Sequence, residues 1–170
     1  VSYSGGWVDA DAYSHPTLHN YSYEDATIDW MGELGAGCVK ANEIIQSQAD
    51  EKKYKAPARA MRAYFEFIMM DCWGDAPIID PSLDGQINIS DRQPRGDVAR
   101  WIEKELLDVI PLLPTETGSA YYGTATKYMA QALLAKLYIN WPVYTAASVD
   151  QYDAATAKNE KLDDLIKICD

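Results

Sequence analysis

The residues best suited to recognition chemistry gather before Asp25. Tyr3, Trp7, Tyr13, Tyr21 and Tyr23 alternate there with Asp9, Asp11 and Asn20. An indole or phenol ring offers a flat apolar face with a polar edge. Short polar side chains beside such a face can exchange hydrogen bonds with hydroxyl groups. A pyranose ring, apolar on its faces and hydroxylated at its rim, is a ligand this pairing suits. Trp30 lies just downstream and extends the set, and Tyr121 and Tyr122 form a second, weaker group. Any one of these rings could equally cover a hydrophobic core. Their concentration where no helical period claims them is the signal for a binding surface.

Other chemistry finds less support. Asp11, His15 and His19 have a spacing that would put both imidazoles on one helix face, as zinc requires. Pro16 stands between them and argues against that helix, so no metal is expected. Glu103 with Glu105, and Asp163 with Asp164, are carboxylate pairs whose spacing does not converge them, so no glycosidase pair is indicated. No nucleophile elbow, zinc-protease helix or phosphate-binding glycine loop occurs. Neither an enzyme nor a cofactor is expected.

Bulk composition narrows the partners. The chain has 170 residues, enough for one domain with a real core. Its net charge is −11, which repels phosphate backbones and anionic lipid, so no nucleic acid is expected. The longest apolar runs, Phe67–Met70 among them, fall far short of the about 20 residues a membrane helix needs. The first residues have no signal-peptide character. Cys38, Cys72 and Cys169 are odd in number and widely spaced, which predicts three small buried thiols rather than a disulfide framework. Aromatic usage is skewed, with 12 Tyr and 5 Trp against 2 Phe.

The elements that must position these groups read as helices. Residues 1–24 form an aromatic and polar loop region, and a helical domain occupies 25–170. A first helix runs from Asp25 to about Gln48, with glycines at 32, 35 and 37 that permit close approach of a neighbour. The second starts near Pro57, which fits a first-turn position. Its apolar stripe is Met61, Tyr64, Phe65, Ile68 and Cys72, with Arg59, Arg62 and Glu66 off it. Gly74 is its cap and Pro77 its stop. A connection over 76–94 follows, with a β-prone patch at 86–89. A third helix begins near Asp97 as N-cap and ends at Pro114. It turns Trp101, Ile102, Leu106 and Val109 inward, and Glu103 and Glu105 outward. A fourth, over about 124–141, is apolar on two sides and so predicted to be the most buried. A fifth spans about 149–169, with Leu162, Leu165, Ile166 and Cys169 inward. Trp73, Trp101 and Trp141 are assigned to core packing, and Asn42 to a structural hydrogen bond. The expected fold class is therefore all-α, a superhelix of stacked helix hairpins resembling degenerate tetratricopeptide repeats. The 76–94 insertion breaks any strict 34-residue period.

Particular stretches say more. Ala58-Arg59-Ala60-Met61-Arg62-Ala63-Tyr64-Phe65-Glu66-Phe67, followed by Asp71-Cys72-Trp73-Gly74-Asp75-Ala76-Pro77, resembles the signature helix and turn of the SusD/RagB family. Trp101 through Leu106, the ending Ile110-Pro111-Leu112-Leu113-Pro114, and Gly123 through Lys127 match in the same order. Ala130 through Asn140 resembles the family's inner repeat helix, and Trp30 with Ala41-Asn42 its first. The matches cover about residues 25–145. The chain departs from the pattern at Gly32–Gly37 and in being much shorter than family members. The resemblance implies the N-terminal, tetratricopeptide-like part of a longer SusD-like protein. It implies a surface location at the outer membrane, through an N-terminal lipid anchor not in this chain. It implies oligosaccharide capture for a SusC-like TonB-dependent transporter, without catalysis. The alternative is a helical-repeat scaffold for protein partners with no sugar role.

Overall fold

The computed structural model describes residues 31–80 and 91–169. Its architecture is the all-α stack expected. Helix α1 is Met31–Gln46, α2 Ala56–Trp73, α3 Arg95–Val109, α4 Lys127–Ile139, α5 Trp141–Thr145 and α6 Leu162–Cys169. Each long helix packs on the next: α1 on α2, α2 on α3, α3 on α4, and α4 on α6, with α5 returning against α3. No helix among the described residues is long and apolar enough to cross a membrane.

The α1–α2 pair shows what the glycines do. A Cβ on Gly37 would lie 2.8 Å from Cε2 of Phe65, and one on Gly35 would lie 3.4 Å from Cδ1 of Ile79. Their hydrogens let α1 settle onto the Phe65 ring, at the cost in helix propensity that glycine carries. Helix α2 is entered through a wide π-type turn, Glu51–Lys55, in which Lys55 N–H donates back to Asp50 O. Asp50 Oδ1 accepts from Lys53 N–H at 2.7 Å and so satisfies one of the free donors at that start. Pro57 then sits in the first turn of α2, as anticipated.

The end of α2 also follows the sequence. Gly74 has φ +80 and its N–H donates to Met70 O at 2.9 Å. With ψ −109 it lies outside the left-handed helical well, in a region only glycine occupies easily. Nothing stands within 4 Å of a Cβ there, so the cost of a side chain is purely backbone strain. Gly74→Val is therefore expected to lower stability by about 1 kcal/mol or more, read as a drop in urea midpoint at unchanged slope. A wild-type midpoint would remove the strain argument.

Several expectations are corrected. Helix α2 buries Ala56, Ala60, Ala63, Phe67 and Met70, together with Arg62 and Glu66, while Tyr64 and Cys72 face outward. A helix inside a stack has neighbours on more than one side, and the small alanines let them approach. Helix α3 starts at Arg95, whose N–H is taken by Asp75 Oδ1 rather than by a cap at Asp97, and it buries Glu105. Helix α4 is not the most buried: Tyr128, Ala132, Lys136 and Ile139 form a solvated face, and α2 is more enclosed. The long fifth helix is instead a 3₁₀ turn at Val149–Gln151, an irregular segment, and the short α6. In α6, Leu165 and Ile168 pack inward, while Leu162, Ile166 and Cys169 are exposed. Of the three thiols only Cys38 is buried.

Candidate functional site

An open groove of about 1050 Å³ lies between the start of α2 and the segment 111–125. Met61 and Phe65 of α2 lie along it, with Ala41 and Ile44 of α1. Tyr54 lines it from the π-type turn and Tyr121 from the opposite segment. The turn explains Tyr54: its wider loop holds the ring half exposed, with the Lys53 ammonium 5.1 Å from the ring centre. Tyr121 closes a 3₁₀ turn, Ser119–Tyr121, that begins after Gly118 at φ +109. Its neighbour Tyr122 is 94% exposed and lines nothing. The rim mixes donors and acceptors, with Lys40 and Lys53 on one side and Glu116 and Thr124 on the other.

Behind this floor lies a buried charged cluster that fixes the rotation of α2. Met61 and Phe65 face the groove, and the residues one further along, Arg62 and Glu66, face the cluster. Arg62 is 2% exposed. Its Nη1 donates to Asn42 Oδ1 at 2.8 Å and lies 3.2 Å from Asp80 Oδ1. Its Nη2 donates to Glu105 Oε2 at 2.8 Å, and its guanidinium stacks 5.1 Å from the Trp101 ring centre. Arg59 forks onto Glu105 through Nε at 3.1 Å and Nη2 at 2.7 Å. Trp101 Nε1 donates to Asp80 Oδ2 at 3.3 Å. Asn42 Nδ2 donates to Ile79 O at 3.0 Å, which is the structural hydrogen bond anticipated for it. The cluster thus ties α1, α2, α3 and the strand-like exit at Ile79–Asp80 to one another.

Glu66 stands at its edge, fully buried. Its Oε1 accepts from Ile79 N–H at 2.7 Å, and the Cys38 thiol stands beside the carboxyl. Burial pushes its carboxyl up to about 7, against the opposing pull of the Ile79 amide and the Arg62 charge. The same burial raises the neighbouring Cys38 thiol, so Cys38 is no nucleophile.

The residues expected to bind ligand, Tyr3, Trp7, Tyr13, Asn20, Tyr23 and Trp30, lie outside the described residues, as do Asp11, His15, His19 and the patch at 86–89. No group of metal-binding side chains occurs among the described ones. Trp141 is buried and Trp101 partly so, both packed on the core as assigned. Glu103 and Glu105 diverge, Glu103 accepting from the Tyr138 hydroxyl at 2.7 Å and Glu105 from the two arginines. Sequence reasoning missed Tyr54. Its lysine-rich setting reads as a solvated face, and nothing in the sequence marks a π-type turn.

Comparison with solved structures defines the class: the fold is SusD-like. The chain is similar to a laminarin binding SusD-like protein, with a TM-score of 0.65 at 20% identity, over 86% of this chain and 34% of that one. It is also similar to BT4246, a Bacteroides protein, with a TM-score of 0.56 at 19% identity, over 78% of this chain and 24% of that one. The chain thus spans about a third or less of the length of these structures. No family model matches it, and no curated protein does.

Proposed function

We propose that the protein is a non-enzymatic, surface-exposed glycan-binding protein of an outer membrane, which captures oligosaccharides for a SusC-like TonB-dependent transporter. The observation that carries this reading is the SusD-like fold, shared with a protein that binds laminarin. The signature helix and turn, Ala58 through Pro77, supports it from the sequence. Binding is assigned to aromatic and polar residues of the segment 1–24, chiefly Trp7, with Tyr3, Tyr13, Asn20 and Tyr23, and to Trp30. A rigid helical stack is a suitable base for such a recognition segment. The acidic net charge favours a neutral or weakly charged glycan over a polyanion. The lipid anchor and the transporter contact belong to the same reading.

Calorimetry on the whole protein tests it, after a glycan array has supplied the ligand. Trp7→Ala is expected to weaken binding by about tenfold or more, as loss of a stacked aromatic anchor does. Unchanged affinity with an intact fold would remove Trp7 from the site. A whole protein that binds no glycan on the array would leave the helical-repeat scaffold in its place.

A further inference from the structure

The groove between the π-type turn and the segment 111–125 is not accounted for by the residues assigned above. Its floor is apolar, yet it lacks the enclosure that a small apolar ligand needs. Three rings line it: Tyr54, Phe65 and Tyr121. They come from three separated parts of the chain, and two are tyrosines, which keep a polar edge at the surface. Tyr54 is 50% exposed. That exposure is enforced by the wide turn and by Asp50, whose side chain fixes the backbone at Lys53. π-type turns are uncommon and recur at functional sites.

The rim discriminates among ligands. Lys40, Lys52 and Lys53 meet Asp50 and Glu116, so the groove carries neither the single-signed field that a phosphate chain requires nor that of a cation site. Thr124 adds a hydroxyl. Flat rings below and mixed donors and acceptors above are what a neutral sugar presents a need for on its faces and its edge. The volume exceeds what a single pyranose fills, and the groove is open to solvent, so a chain of several sugar units can lie along it.

We infer that this groove is a second carbohydrate subsite, which holds a stretch of a neutral oligosaccharide against Tyr54 and Tyr121 over the Met61–Phe65 floor. The inference rests on the glycan-binding reading and adds to it a site built from other residues. It makes affinity depend on chain length, because a short sugar cannot occupy this subsite and another at once.

The test is calorimetric titration of the whole protein with laminarihexaose, maltohexaose, cellohexaose and xylohexaose, and with the disaccharide of whichever binds. The variants are Tyr54→Ala/Tyr121→Ala and, because two truncations could disturb the wall, Tyr54→Ser alone, each checked by circular dichroism. The double variant is expected to weaken hexasaccharide binding by about tenfold or more, with Tyr54→Ser lying between it and wild type. A folded Tyr54→Ser variant with wild-type affinity for the hexasaccharide overturns the subsite while the glycan-binding reading stands. A wild-type protein that binds none of the four hexasaccharides overturns the subsite as a site for neutral chains, and the array result then decides the reading on which it rests.

Discussion

Arg62→Met is expected to destabilise the protein by about 3–5 kcal/mol, the usual cost of breaking a buried ion pair by removing one partner. Methionine fills much of the same space, so lost packing contributes little. What is lost is the cation that Asp80 and Glu105 share. Glu105 retains Arg59, and Asp80, 7% exposed, keeps the Trp101 indole but loses the guanidinium. Asn42 Oδ1 loses its donor as well. Arg59→Met is expected to cost less, because Arg59 is more exposed and Glu105 keeps Arg62. Urea unfolding of the three proteins measures these values. A loss below about 1 kcal/mol for Arg62→Met, within the range of an exposed pair, would show that water reaches the cluster.

The second large effect is with pH. Glu66 titrates near 7 in the folded chain, against 4.5 as its ordinary value. Between those two values the folded protein holds a proton that the unfolded chain has released. Unfolding then liberates a proton, so raising the pH favours unfolding. The contribution of Glu66 is level below about pH 4.5, falls from there to about 7, and is level above. The loss amounts to about 3 kcal/mol at most. The groups facing Glu66 are Cys38 from α1, Arg62 from its own helix, and Asp80 and the Ile79 amide from the exit segment. Arg62 opposes the rise but is shared with Asp80 and Glu105, and the Asp80 charge adds to it. The urea midpoint of the wild type is expected to fall between pH 5 and pH 8, and that of Glu66→Gln to change much less. Parallel profiles for the two proteins would assign the slope to other groups.

Both effects arise from residues that the sequence pattern placed outside the core, and the reason is physical. In α2 the series Met61, Tyr64, Phe65, Ile68 and Cys72 satisfies the helical period, and so does Ala56, Ala60, Ala63, Phe67 and Met70. The large rings make the first series conspicuous. The alanines of the second carry little hydrophobic signal, although small residues are what a closely packed helix needs. Arg62 and Glu66 read as solvated by type, since burial of such groups is tolerated only when partners arrive from elsewhere in the chain. Those partners, Asp80 and Glu105, lie 18 and 43 residues away. Local signals fared better. Pro57 and Gly74 act within one turn of the backbone, and both sit where their chemistry requires. The long fifth helix fails for a local reason too. Asp153 binds the amide of Ala155 and the hydroxyl of Thr156, and Asn159 binds the amide of Lys161, turns that compete with helix. The groove was half legible: Tyr121 stood out in a loop, but Tyr54 depended on a turn whose width no residue announces.

Ala76 and Gln93 exchange two backbone hydrogen bonds, at 3.2 and 2.9 Å, and Asp75 receives the amide of Arg95 just beyond. These three bonds fasten together the two ends of the connection that interrupts the repeat. Once the ends are fastened, the helices on either side do not sense how much polypeptide lies between them. Loop-closure entropy grows only logarithmically, so doubling the intervening length costs about 0.6 kcal/mol. The clasp behaves as a grommet in the wall of the stack, through which the sequence between Asp80 and Asp91 can be lengthened, shortened or exchanged while the repeat keeps its register.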